Sequence, residues 1–164
     1  MRVIITPYDE NWPLEFSRVK RRLCDRLGAR AKRIEHIGST AVPGLHAKPI
    51  VDVLLECHEA TGTDLRAALE GIGYSLVVDE PGHHMFRNAA QDVHLHVWRS
   101  GDAEIERHLL FRDRLRENEE DRRRYEREKQ RLATMEWPTQ NDYAQAKSRV
   151  IGEILARARE SPKP

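Results

Sequence analysis

At 164 residues the chain has room for one domain, with or without a helical appendage, and excludes two full enzyme domains, because a domain usually takes roughly 100 to 200 residues. Its 28 Lys and Arg nearly cancel 27 Asp and Glu, for a net charge of +1, which argues against a protein that coats nucleic acid, since that work needs a net basic footprint to displace counterions. A local basic pocket stays open, and the 39% of apolar residues, gathered in short strands and stripes, suffice for a modest core.

The opening MRVIITPYDENW lacks the long apolar centre of a signal peptide. No apolar run approaches the roughly 20 residues that cross a bilayer, so a soluble cytoplasmic protein with no membrane partner is expected. Residues 9–30 read as a first helix, with Asp9 or Asn11 as N-cap and Pro13 in the first turn. Its stripe is Leu14, Phe16, Val19, Leu23 and Leu27, and Gly28 stops it. A short strand at 33–37 precedes the Gly, Ser, Thr and Pro-rich segment GSTAVPGLHAKP, a long loop. Residues 50–57 then form a buried central strand, 63–71 a second helix and 74–78 a third strand. Cys24 and Cys57 lack CxxC spacing and are expected to be buried, reduced thiols.

HHMFR and DVHLHVW, joined by residues 88–91, read as an antiparallel hairpin. In the second run Val93, Leu95 and Val97 alternate with Asp92, His94, His96 and Trp98, so the polar set shares one face. From Asp102 to Thr134, twenty of 33 residues are charged, ten of each sign, a pattern of solvated helix faces with a break expected near 117–121. Thr139 or Asn141 caps one last helix with the stripe Tyr143, Ala146, Val150, Ile154 and Leu155. No repeat or linker interrupts this order, so residues 1–160 are expected to form a single α+β domain and 161–164 a frayed tail.

The stretch EHIGSTAVPGLHAKPIVDVLLE carries the most chemistry. Gly38, Ser39 and Thr40 follow a strand, where a turn can offer backbone N–H groups and two hydroxyls to a phosphate. Lys48 supplies positive charge, and Asp52, a charge amid Ile, Val and Leu, can hold a divalent cation that bridges to phosphates. Neither a Walker A loop nor a dinucleotide fingerprint is present. His94 and His96 lie roughly 7 Å apart on one strand face. If that strand neighbours the Asp52 strand, all three converge, with Glu35 or His36 near the loop. Of His83 and His84 only one can share the face, while His46 and His58 read as surface residues.

The strings EHIGSTAVPGLHAKPIVDV, HLHV, HLLFRDRLR and YAQAKSRVIGEIL, in that order, resemble the GrpB family from about Val3 to Ala158. That family is similar in fold to the nucleotidyltransferase superfamily and is also found fused to dephospho-CoA kinase. The resemblance implies a nucleotidyltransferase-like mixed sheet flanked by helices with a C-terminal helical segment, a phosphate-binding turn at Gly38, Ser39 and Thr40, and a metal-binding acid at Asp52. It also draws in Arg112 and Lys147, from the phrases FRD and AKS, as phosphate-neutralising residues with Lys48. The chain departs from the superfamily pattern at Leu54, where a second acid normally follows. The next carboxylate on that face, Glu56, is about 13 Å of strand rise away, too far to share one ion. The candidate metal set is therefore Asp52, His94 and His96, with Asp52 and His96 as candidate catalytic residues.

The expected ligand is a nucleotide or other phosphorylated small molecule, with Mg, Mn or Zn as cofactor. Histidine donors suit zinc, nickel or manganese better than magnesium alone. Nucleotidyl or phosphoryl transfer is the associated activity, left uncertain by Leu54. The alternatives are a non-catalytic accessory module with a protein partner and a histidine-based metallohydrolase.

Overall fold

A computed structural model describes residues 1–59 and 62–161. The first helix, α1 (Asn11–Leu27), begins where the Asp9 carboxylate accepts the Asn11 N–H at 2.8 Å and ends at Gly28, whose φ is +53°. It is shorter than the expected 9–30 and uses Trp12, Val19, Leu23 and Leu27 as its buried edge, while Leu14 is 55% exposed. Trp12 replaces Leu14 because it packs edge-on against Tyr8 of the incoming chain. Cys24 is exposed on α1, against expectation, while Cys57 is buried, and both are free thiols.

Among the described residues, five strands form one sheet: β1 (Ala31–Ile37), β2 (Val51–Cys57), β3 (Tyr74–Glu80), β4 (His83–Asn88) and β5 (Val93–Arg99). Their spatial order is β1-β2-β5-β4-β3, with β2 and β5 parallel and every other pair antiparallel. The β4–β5 hairpin is held by Asn88, whose side chain accepts the Val93 N–H and donates to Asp92. Strands β1 and β3 run longer than their apolar patterning indicates, because pairing with a neighbour extends each ladder beyond its apolar stretch.

Alternation then sorts the side chains. Val51, Val53, Leu55, Val93, Leu95 and Val97 face α1 and α2 (Thr63–Glu70) and build the main core. Leu23, fully buried there, is worth about 2–5 kcal/mol against truncation to Ala. The opposite face carries Ile37, Leu54 and Trp98 under Ile105 and Leu109 of α3 (Ala103–Glu117).

Asn118 separates α3 from α4 (Glu119–Ala133) and caps the latter by accepting the Asp121 N–H, so the expected break falls at one residue. The final helix is two helices, α5 (Gln140–Ala146) and α6 (Ser148–Glu160), divided at Lys147. Thr139 opens α5 with a reciprocal capping box to Asp142. Val42 and Leu45 of the long loop pack with Leu115, Tyr125, Val150 and Ile154, so the C-terminal helices hold the loop. Helix α4 grips it further: Glu126 accepts the His46 backbone N–H at 2.9 Å, and buried Lys129 donates to the His46 carbonyl. Of the expected tail, Ser161 is tied to Arg157 and residues 162–164 lie outside the described residues. No described helix is long and apolar enough to cross a membrane.

Candidate functional site

The parallel register sets Asp52 beside His94 and Leu54 beside His96. His96 Nε2 lies 3.0 Å and His94 Nδ1 3.6 Å from the same Asp52 carboxylate oxygen. One donor atom from each of the three residues falls within 4.8 Å of the other two. Behind them, His83 Nε2 meets His96 Nδ1 at 3.1 Å. His83 and His96 both stack on Trp98, with centroids 5.1 and 5.6 Å away, and His108 of α3 lies tilted against that indole at 5.0 Å. The imidazole nearest Asp52 is thus fixed in plane and in orientation, the support that a metal-ligating histidine ordinarily has.

The Gly38 turn closes one side of the site. Its φ of +74° suits glycine, and a Cβ there would come within 2.8 Å of Asp52 Oδ2, so both the backbone shape and the carboxylate's position require the missing side chain. Ser39 sits beside it, half-buried, in a single 3₁₀ turn. Thr40 is different. Its hydroxyl donates to the Ile50 carbonyl at 3.0 Å and therefore accepts from His36 Nε2 at 2.9 Å, so it pins the turn and is spent. His36 faces α1, stacked on Phe16 on the side of the sheet away from Asp52, and does not join the site. Glu35 shares the Asp52 face but is held by Arg112 at 2.8 Å. Arg112 in turn is shared among Glu35, Asp113 and the His36 carbonyl, an ion-paired strut between α3 and β1. His84 points to the opposite face from His83 and pairs with Asp79.

Around Asp52 the field is positive. Burial alone would raise the Asp52 carboxyl, but the His96 hydrogen bond and the fields of His96, His94 and Lys147 outweigh it and hold the group below its ordinary range. Burial lowers Lys48, and Lys147 and Arg87 lower it further while Asp52 pulls it back up. Burial also lowers His94, against the opposing pull of Asp52. A neutral imidazole is the form that can bind metal, and burial favours that form of His94. Lys48 donates to Gln140 of α5, and Lys147 lies over the Tyr143 ring at 4.8 Å, at the junction of α5 and α6.

The structure brings Gly38, Ser39, Lys48, Asp52, His94, His96 and Lys147 to one side of the sheet, while Thr40 and Arg112 are engaged elsewhere. Leu54, where the resemblance implies a second acid, is fully buried with Ile37, Trp98, Ile105 and Leu109 under α3. Sequence reasoning missed Arg87. It lies opposite His94 across β4 and β5, and its Nε is buried without a hydrogen-bond partner. Its signal was the one that marked Asp52, a charge set inside a strand.

The family profile described as GrpB protein matches residues 2–157. A UPF0157 protein of Streptomyces coelicolor is 45% identical over 159 residues, covering 96% of this chain and 85% of that protein. The crystal structure of the conserved protein GrpB from Enterococcus faecalis superposes with a TM-score of 0.82 at 32% identity, covering 96% of this chain and all of the other. A dephospho-CoA kinase of Mycolicibacterium paratuberculosis matches over 65 residues at 35% identity, 38% of this chain and 16% of that enzyme. With matching motifs, fold and near-complete coverage, the chain belongs to the GrpB family.

Proposed function

We propose that the protein binds a nucleotide or another phosphorylated small molecule through one divalent cation held by Asp52, His94 and His96. The observation that carries this reading is the convergence of those three donors within 4.8 Å, beside a glycine turn that cannot admit a side chain. Two imidazoles and one carboxylate suit Zn²⁺, Mn²⁺ or Ni²⁺ better than Mg²⁺, which favours oxygen ligands. Such an ion would supply charge to orient and neutralise phosphate oxygens.

The chain's own groups divide the remaining work. His83 and Trp98 fix the His96 ring, the Gly38 turn lets the Asp52 carboxylate sit close to the backbone, and Lys48 and Lys147 offset phosphate charge. Leu54 removes the second carboxylate of a two-ion arrangement, so the geometry supports binding more strongly than nucleotidyl transfer.

Calorimetric titration with Mn²⁺ and Zn²⁺, followed by ATP, tests this. Wild-type protein is expected to bind metal at one site and to bind ATP only with metal present, and Asp52→Asn to lose both. Wild-type protein that binds neither, or an Asp52→Asn variant that binds both unchanged, would remove the site and favour a protein-contact module.

A further inference from the structure

One row of side chains crosses the sheet at the level of the metal donors. Arg87 on β4 is the register partner of His94 on β5, which is in turn the partner of Asp52 on β2. Antiparallel partners lie about 4.5–5.5 Å apart at Cα, and partners share a face, so the guanidinium rises from the same face as the donors. Its Nε is buried and meets no acceptor, an arrangement that native proteins seldom keep without a reason.

Among the described residues, other half-buried arginines have acceptors: Arg33 has Glu56, Arg112 Glu35, Arg114 Asp121, Arg124 Glu153, and Arg122 the Leu115 and Arg116 carbonyls. Among the described residues, Lys48, Arg87 and Lys147 have no carboxylate at ion-pair distance, although Lys48 and Arg87 are close enough to depress one another's neighbours. Lys48 and Lys147 thus act on the Asp52 carboxylate, Arg87 stands beyond His94 in the same row, and a divalent ion at Asp52 would enlarge the positive excess. A single phosphate group carries only about −1.5 to −2 at pH 7 and leaves that excess unbalanced. A chain of two or three phosphates matches it, and a guanidinium offers the two-pronged geometry that phosphate oxygens take.

Resting on the metal-site reading above, we propose that Arg87 is the anchor for a phosphate chain and makes the site select di- and triphosphates over single phosphates. The chain can belong to a nucleotide or to inorganic polyphosphate, and the chemistry that Arg87 reads is the same in both.

The experiment titrates full-length, Mn²⁺-loaded protein with orthophosphate, pyrophosphate, tripolyphosphate and ATP. Wild type is expected to bind the phosphate chains at least about tenfold more tightly than orthophosphate. Arg87→Gln should erase that preference by weakening chain binding about tenfold to a hundredfold, with affinity for Mn²⁺ alone within about twofold of wild type. Arg87→Lys keeps the charge without the fork and should fall between, and melting temperatures of both variants identify any loss of fold. ATP tighter than tripolyphosphate supports a nucleotide source, and equal affinities support recognition of the phosphate chain itself. Orthophosphate bound as tightly as tripolyphosphate overturns the proposal and leaves the metal site standing, as does wild-type chain affinity in either folded Arg87 variant. Failure of the underlying reading looks different: no Mn²⁺ binding that depends on Asp52.

Discussion

Asp52 and Glu56 stand four residues apart on one strand and on one face, yet the protein treats them differently. Glu56 is 2% exposed and closed off by two permanent cations, Arg33 at 2.9 Å and Lys32 at 3.3 Å. Burial would raise its carboxyl, but those two partners outweigh it and hold the group down. Asp52 keeps a more open side chain, 28% exposed, and its nearest partners are two imidazoles. A carboxylate matched by Arg and Lys is finished as a structural element. One matched by imidazoles can exchange a hydrogen bond for a shared ion, because the same ring nitrogens can donate a proton or ligate a metal.

The sharpest way to break this contrast is to remove each acid in turn. Asp52→Asn should weaken Mn²⁺ or Zn²⁺ affinity by about a hundredfold or more, read by calorimetry, with the metal-free melting point nearly unmoved. Glu56→Gln should do the reverse, leaving metal affinity intact and costing about 1–2 kcal/mol in urea unfolding, because Arg33 and Lys32 can turn partly to solvent. Equal effects of the two substitutions on metal affinity would end the distinction.

Gly38→Ala tests the shared wall of the site. A φ of +74° with ψ of −174° is a region that only glycine adopts readily, and the added methyl would meet the Asp52 carboxylate at 2.8 Å. The expected cost is about 2–3 kcal/mol of stability together with weakened metal binding, checked by denaturation and calorimetry on the same sample.

Acid titration supplies a smaller effect that locates the source of pH sensitivity. Burial pushes His36 down to about 4, and the Arg116 charge adds to it. A base whose folded value is depressed gives its full stability above its ordinary value near 6.5. As pH falls from there toward 4, the unfolded chain takes up a proton that the folded one refuses, and stability drops by on the order of 2 kcal/mol. Burial holds His108 at about 4 as well, so His36→Gln should remove about half of the slope of urea-unfolding stability across that window, and an unchanged slope would leave the sensitivity with His108 on the Asp52 face.

The sheet and most of the site were legible because alternation is a local signal. Val93, Leu95 and Val97 against His94 and His96 fixed a face, and an acid among Ile, Val and Leu marked Asp52. What was not legible depends on partners far apart in the chain. Nothing local says that Arg112 meets Glu35, that the Thr40 hydroxyl is spent on Ile50 and His36, or that the last helix divides at Lys147. Arg87 is masked by the two histidines that open its strand, although an arginine in the middle of a paired strand poses the same energetic question as Asp52.

The parallel pairing of β2 with β5 also sets the order in which the molecule can assemble. His96 and Asp52 are 44 residues apart, and the β3–β4 and β4–β5 hairpins can close before the chain returns to β2. Long-range parallel pairing closes the larger loop and is the slower step. Neither half of the donor set forms the site alone, so competence to hold a ligand appears only when the last long-range seam of the sheet has zipped. An ion held there would act mainly as a latch on unfolding, leaving the rate of folding almost untouched.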